Sequence, residues 1–294
     1  MRIAAVLEMA TDRLRQAGIP DAGLEATIML THLLGVNRAG LILTADRAIE
    51  PALLDTLERW LGRRREREPL AYILGEWEFW SLPFKVTNAV LIPRPETEFL
   101  VETALRTVRD SGEKLPALIA DLGIGSGAVA VVLALELPHA MVYGIDLSLA
   151  ALRVARDNIK THRVEDRVLP VNGDWLAALR PERLFDLVVS NPPYIASPLL
   201  ERPWGPGADR LQPEVGQYEP RQALDGGRHG LEAIDRIAAD LHNHLKPGGW
   251  LFMEIGADQG DYVARLFREL AYLEVMVHRD YAGLPRVLQA RQRQ

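Results

Sequence analysis

Asp121-Leu122-Gly123-Ile124-Gly125-Ser126-Gly127 follows the apolar run 117–122 and leads into a run of helical period, 128–136. Glycine at alternate positions lets a strand turn sharply into a helix and lets the backbone approach a ligand without Cβ interference. The helix N-terminus offers N–H groups that have no partner within the helix. Three alternate glycines exceed what a merely tight turn requires, so the stretch predicts an α/β sheet carrying a nucleotide-like cofactor. It leaves the cofactor's identity open. Gly123, Gly125 and Ala128 also satisfy the G-x-G-x-x-G/A dinucleotide pattern, and Asp146 follows at the separation of a ribose-binding acid. In either reading Asp146 ends the second strand, where its carboxylate can accept both vicinal ribose hydroxyls. As a helix cap it is less well placed than Ser148.

Outward from this turn, strand-like and helical runs alternate: 141–145 then 149–159, 168–171, 184–189, then 230–245, a Lys246-Pro247-Gly248-Gly249 turn, and 250–255. Closing strands are expected at 273–277 and 287–290. Such alternation predicts a mainly parallel sheet covered on both faces. Upstream, apolar residues recur at three- and four-residue spacing through 3–74, which predicts a small all-α domain. Residues 76–92 turn aromatic and alternating around Ser81-Leu82-Pro83, as a β-hairpin linker would. Pro93-Arg94-Pro95-Glu96-Thr97-Glu98 then has the prolines and acids of a helix start. The expected division is 1–75 helical, 76–93 hairpin, 94–294 α/β. The basic run 63–67 reads as a solvated helix end rather than a binding patch.

Asn191-Pro192-Pro193-Tyr194 comes directly after the strand 184–189, at the carboxyl end where open α/β sheets bind ligands. Two prolines cannot continue a sheet ladder, so they fix a rigid loop. There the Asn191 side-chain carbonyl and the Pro192 backbone carbonyl can each accept one hydrogen of a single NH2 group, and Tyr194 can offer a flat ring. A planar amide or exocyclic amine is a poor nucleophile because its lone pair is delocalised. Two acceptors favour a pyramidal nitrogen with the lone pair turned toward a methyl donor. No metal is expected, since the proton becomes acidic once nitrogen is alkylated. A weaker signal is Gly173-Asp174-Trp175: Trp175 either stacks on an adenine face or packs in the core, and Asp174 either accepts from the adenine amino group or caps the next turn.

The net charge of -6 provides no protein-wide field for phosphates, and the chain has no cysteine, which excludes disulfides and thiolate zinc sites and fits a cytoplasmic location. No run of 18 apolar residues occurs, so no membrane span is expected.

The order of these segments, together with Pro69-Leu70-Ala71-Tyr72-Ile73-Leu74-Gly75, Tyr218-Glu219-Pro220-Arg221, Ala223-Leu224-Asp225-Gly226-Gly227 and Leu245-Lys246-Pro247-Gly248-Gly249-Trp250, resembles the release factor glutamine methyltransferases along almost the whole chain. Asn-Pro-Pro-Tyr is shared with DNA adenine N6-methyltransferases; the Pro-Arg-Pro-Glu-Thr-Glu and Tyr-Glu-Pro-Arg segments are more specific. The resemblance implies a seven-stranded Rossmann-like methyltransferase domain, an N-terminal domain that grips the release factor, and S-adenosyl-L-methionine as cofactor. It implies methyl transfer to N5 of the glutamine in a Gly-Gly-Gln motif of peptide chain release factors. By the same resemblance Gly123, Ile124, Gly125, Ser126, Gly127, Asp146, Trp175 and Asn191 face the cofactor, and Asn191, Pro192, Pro193 and Tyr194 form the catalytic loop. Arg94, Glu96 and Glu219 match segments near the site. Three stretches depart from the family pattern: Ile124 stands where Thr is usual, 197–212 is longer than usual, and Ala282-Gly283-Leu284-Pro285-Arg286-Val287 replaces a more usual Ala-Gly-Arg-Asp-Arg-Val. The competing readings are N6-adenine methylation of DNA or RNA, against which the acidic charge counts, an NAD-dependent oxidoreductase, which leaves the Pro-Pro loop unexplained, and a non-catalytic binding protein.

Overall fold

In the computed structural model, which describes residues 1–112, 114–203 and 211–294, five helices precede the first strand: α1 (Ile3–Gln16), α2 (Ala22–Leu34), α3 (Arg38–Leu43), α4 (Pro51–Arg65) and α5 (Leu70–Leu74). Their apolar stripes meet in a core of Val6, Leu14, Met29, Leu30, Leu57 and Leu61, each at most 1% exposed. Gly35 closes α2 in the left-handed conformation, and the Asn37 side chain caps α3 by accepting from the Gly40 amide at 2.8 Å.

Met1–Glu76 form one compact unit together with a distant segment, Pro213–Tyr218. Buried charge holds that segment in the unit. Arg64, 4% exposed, donates from Nε and Nη2 to Glu25 at 2.6 and 3.1 Å, and its Nη2 also pairs with Glu214 at 2.9 Å. Arg67 pairs with Glu214 at 2.9 Å, and the Tyr218 hydroxyl donates to the Glu66 carbonyl at 2.6 Å. The expectation of a solvated helix end at 63–67 is therefore corrected. Arg64 and Arg67 are occupied by acids from α2 and from a segment some 150 residues downstream, while Arg63 pairs with Glu68.

The second unit, Trp77–Gln212 with Glu219–Gln294, contains nearly all of the hairpin β1 (Glu76–Phe79) and β2 (Leu82–Lys85) and continues through α6 (Pro95–Asp110), β3 (Leu118–Leu122), α7 (Ala128–Glu136), β4 (Met141–Asp146), α8 (Leu149–Thr161), β5 (Val168–Asn172) and β6 (Phe185–Ser190). After β6 come α9 (Ser197–Leu200), α10 (Arg221–Leu224), α11 (Glu232–Leu241), β7 (Leu245–Glu254), α12 (Gly260–Glu269), β8 (Leu273–Arg279) and β9 (Pro285–Arg291). The hairpin is more than a connector, because Phe79 and Phe84 lie in the same apolar cluster as α6 and α7.

The seven strands run in the order β5-β4-β3-β6-β7-β9-β8, parallel from β5 to β7 and antiparallel at β9 and β8. Chain order reverses beside β3: the next strands build outward through β4 to β5, and β6 then returns to the other flank, which makes the crevice at β3 and β6 the expected ligand site. β3 and β6 are buried almost throughout, as strands covered on both faces must be. Pro170 sits in β5 at the sheet edge, where its missing N–H costs no ladder bond.

One buried side chain ties hairpin, glycine turn and helix together. Asn158 of α8, 1% exposed, accepts from the Lys85 amide at 2.8 Å and donates to the Lys85 and Ser126 carbonyls at 2.9 and 2.8 Å. Truncating it strands three backbone groups, each costing about 1–3 kcal/mol where water cannot reach. Asn158→Ala is expected to lower unfolding free energy by roughly 2 kcal/mol or more in urea titrations; a loss below about 0.5 kcal/mol, the range of an ordinary surface change, would show that water replaces the amide.

Candidate functional site

The parallel register brings the site together. Leu122 is level with Ile145 and with Ser190, and Ser190 is level with Met253. The next residue on each strand is Gly123, Asp146, Asn191 or Glu254, so these four form a row across the carboxyl ends of β3, β4, β6 and β7. Below the row, the buried Ser190 hydroxyl donates to the Leu122 carbonyl at 2.8 Å. Above it opens a cavity of about 310 Å³ whose wall includes Gly123, Asp146, Trp175, Asn191, Pro193 and Thr97.

On the cofactor side, Gly123, Gly125 and Gly127 have φ of +81°, +53° and +84°, which side chains rarely adopt. The amides of Gly123 and Ile124 both donate to the Ile145 carbonyl, at 2.8 and 3.0 Å, and pin the turn to β4. A Cβ on Gly123 would lie 3.5 Å from the Trp175 ring and 3.8 Å from the Asn191 carbonyl, so the turn leaves a bare backbone face at the cavity. Ile124 also borders the cavity, and its side chain, 4% exposed, occupies the space that a Cβ on Gly144 would need.

Asp146 spends one bond from each oxygen on the protein, accepting from Gly125 N at 3.0 Å and from Ser148 N at 2.8 Å. Burial raises its pKa, and these two amides oppose the rise. Each oxygen keeps acceptor capacity for a diol. Ser148, not Asp146, caps α8, accepting from Ala151 N at 3.2 Å. Trp175 packs against an apolar cluster of the sheet and also lines the cavity. Asp174 makes no cap bond and pairs with Arg236 of α11. A bare glycine face, a carboxylate with free lone pairs and an exposed ring face fit the adenosine part of S-adenosylmethionine.

At the proline loop, the Asn191 Nδ2 donates to Thr97 Oγ1 at 2.9 Å. Its Oδ1 is thereby left as the acceptor end. Asn191 and Pro193 line the cavity, whereas Pro192 is buried and Tyr194 lies off the lining with its hydroxyl bonded to Glu254 Oε1 at 3.2 Å. The loop is braced from behind: Gln259 Nε2 donates to the carbonyls of Tyr194 and Gly230 at 3.0 and 2.9 Å. A Cβ on Gly226 would stand 2.6 Å from the Pro193 carbonyl, and one on Gly230 2.3 Å from that of Tyr194, so only glycine lets 226–230 support the prolines.

Several residues of the site were not singled out from the sequence. Glu254 is fully buried, and desolvation pushes its pKa up to about 7. Its signal was available: one acid closing the apolar strand Trp250-Leu251-Phe252-Met253. Thr97, read only as part of a helix start, lies between Asn191 and Glu254. Asp121, 2% exposed, is likewise pushed up to about 7 by burial, and its Oδ2 has no partner among the described residues. Arg94 pairs with buried Glu219. The altered stretch 282–287 keeps an ion pair nearby, Arg286 Nε to Asp280 Oδ2 at 3.3 Å. Of the long segment 197–212, residues 204–210 lie outside the described residues.

Residues 5–75 match the model of the PrmC N-terminal domain and residues 97–199 that of the methyltransferase small domain. The chain is 40% identical to the release factor glutamine methyltransferase of Geobacter sulfurreducens over 98% of this chain and 96% of that protein. It is 40% identical to that of Vibrio cholerae over 97% and 95%. Among solved structures it is similar to a methyltransferase from Pyrococcus furiosus (TM-score 0.51, 17% identity, 74% of this chain and 91% of that one). It is also similar to the hMettl16 catalytic domain in complex with a MAT2A 3'UTR hairpin (TM-score 0.55, 13% identity, 83% and 82%). At such identities the structural likeness is one of fold.

Two outcomes follow from these carboxylates. Asp146→Ala should weaken S-adenosylmethionine binding measured by calorimetry by about tenfold or more, the loss of one to two charge-assisted hydrogen bonds; an unchanged affinity would remove Asp146 from the cofactor site. Burial pushes the Asp121 carboxyl up from its ordinary 3.8 to about 7. The stability tied to its neutral form is present at low pH and is lost as pH rises through about 7. Asp121→Asn should therefore unfold with a flatter pH dependence than wild type between about pH 4 and pH 7, and identical slopes would mean that the group ionises without penalty.

Proposed function

The chain belongs to the family of release factor glutamine methyltransferases, and from that premise we propose that Asn191 Oδ1, together with the Pro192 carbonyl, holds the glutamine side-chain amide of a Gly-Gly-Gln tripeptide for methylation at N5. The activity is S-adenosylmethionine-dependent methylation of a release-factor glutamine. When bound, S-adenosylmethionine supplies a methyl group made electrophilic by its sulfonium. Everything else is the work of this chain's residues. Gly123, Asp146 and Trp175 hold the nucleoside, and the rigid proline loop fixes the acceptors. Two acceptors taking both amide hydrogens reduce the planarity of nitrogen and direct its lone pair across the cavity. The observation that carries this reading is the bond from Asn191 Nδ2 to Thr97, which leaves the carbonyl end of the amide for the cleft.

The finer assignments belong to the same proposal. Two glycines before the target let its backbone enter beside the prolines without side-chain collision, Tyr194, off the cavity lining, braces the loop through Glu254 instead of offering its ring to the amide, and the helical unit serves as the docking surface for the folded release factor. Nucleic acid is not the substrate, and a cytoplasmic location goes with a translation-linked task. Among the described residues no helix is long and apolar enough to cross a membrane.

Asn191→Ala should lower turnover by about a hundred- to thousandfold, the cost of one transition-state hydrogen bond, with cofactor affinity nearly unchanged; more than a tenth of wild-type turnover would defeat the role. A whole release factor should be methylated far faster than a short Gly-Gly-Gln peptide, since remote binding can contribute up to about 7–11 kcal/mol of positioning. Mass mapping should find the label on that glutamine. Equal rates would refute docking, and preferential labelling of adenine in DNA or RNA would refute the substrate.

A further inference from the structure

We propose that Thr97 and Glu254 form a hydroxyl relay that decides which end of the Asn191 amide faces the substrate, with Glu254 acting as a carboxylate. The inference rests on the reading of Asn191 as the amide acceptor. An asparagine amide has two ends of nearly equal size, one accepting and one donating. Turned the wrong way, Asn191 would set its NH2 against the NH2 of the incoming glutamine, donor against donor. Nothing in Asn191 itself selects the productive orientation.

The neighbours select it. Glu254 Oε2 lies 2.8 Å from Thr97 Oγ1, Glu254 Oε1 lies 3.2 Å from the Tyr194 hydroxyl, and Thr97 Oγ1 lies 2.9 Å from Asn191 Nδ2. A carboxylate only accepts, so both hydroxyls must donate to it. Thr97 has a single hydroxyl hydrogen and commits it to Glu254. Toward Asn191 it can then only accept, which requires the NH2 end there and the carbonyl in the cleft. Glu254 is 0% exposed and Thr97 5%, so water does not compete for these bonds. Glu254 also fixes Tyr194, and thus holds both polar ends of the proline loop. It acts through Thr97 and is a positioning residue, not a catalytic one.

The arrangement is sensitive to one proton. Burial pushes Glu254 up to about 7, with the Thr97 bond, the Arg286 charge from β9 and the Tyr194 bond pulling it back and Glu96 of α6 adding to the rise. Once protonated, Glu254 can donate to Thr97, whose own hydrogen becomes free to bond the Asn191 carbonyl. The reversed amide is then as well satisfied as the productive one.

The test is methyl transfer to a purified release factor between about pH 5.5 and pH 9, for wild type, Glu254→Gln, Thr97→Val, Thr97→Ser and Asn191→Ala. Wild-type kcat should fall as pH drops through about 7 and level off at a lower, nonzero rate, because protonation leaves both orientations of the amide satisfied. Glu254→Gln can both accept and donate; it should lose this acid limb and run near pH 8 at about the lower rate that wild type reaches in acid. Thr97→Val, matched in shape but without the hydroxyl, should slow kcat similarly, while Thr97→Ser keeps the rate; cofactor Kd should change less than about twofold in each. Glu254→Gln retaining both the wild-type rate and the limb, or Thr97→Ser as slow as Thr97→Val, would overturn the relay. Should Thr97→Val fail to fold, Glu254→Gln decides, since it removes only a buried charge. If Asn191→Ala is inactive and the relay variants behave as wild type, the relay alone fails. If Asn191→Ala is active, the reading of the site fails with it.

Discussion

Everything in the catalytic unit depends on the register of four parallel strands. Because Leu122, Ile145, Ser190 and Met253 stand level, the chain delivers a glycine turn, a ribose-type acid, an amide and a buried acid to one line at the sheet's edge. A one-residue slip on any strand would turn its terminal side chain to the opposite face. The apolar faces prevent the slip, since Ala120, Leu122, Val188, Leu251 and Met253 fill one cluster and Ile119, Leu187, Val189 and Phe252 another. Core packing and site geometry are therefore a single constraint.

That edge is an expensive place for charge, and the three carboxylates there are treated differently. Asp146 has a backbone amide on each oxygen and can remain ionised while awaiting a diol. Glu254 has only hydroxyls and a charged neighbour, so its state is poised near neutrality. Asp121 lies deeper with one oxygen unpartnered, and burial dominates it. Depth separates the three: Asp121 and Glu254, 2% and 0% exposed, are both pushed up to about 7 by burial although Glu254 is far better paired, whereas Asp146 stands at the cavity wall.

Much of this was legible in the sequence because its signals are local. The glycine turn, the Pro-Pro loop after an apolar strand and the helix start at Pro95 each carry their meaning within about ten residues, as hydrophobic periodicity and turn chemistry do. What escaped is long-range. Arg64 looked like part of a solvated helix end because its partner Glu214 comes from a segment far along the chain. Thr97 looked like helix punctuation because its partners Asn191 and Glu254 meet it only across the sheet edge. Trp175 resisted a single assignment for a physical reason: the same residue packs against the core cluster and lines the cavity. The glycines at 226 and 230 are required by carbonyls of another loop that no local pattern reveals.

The acceptor pair proposed for the substrate also bears on when the reaction stops. A primary amide satisfies two carbonyl-type acceptors at once, one with each hydrogen. After methyl transfer and loss of a proton the nitrogen keeps one hydrogen and one methyl, so one acceptor faces carbon in a site whose Pro193 wall cannot move aside. A buried acceptor left without its hydrogen costs about 1–3 kcal/mol. The product is thereby held less well than the substrate, and a second transfer would begin from a nitrogen only half gripped. Under the proposed grip, rigidity in the proline loop, which Gln259 and the two close-approach glycines enforce from behind, would both align the first methylation and disfavour another.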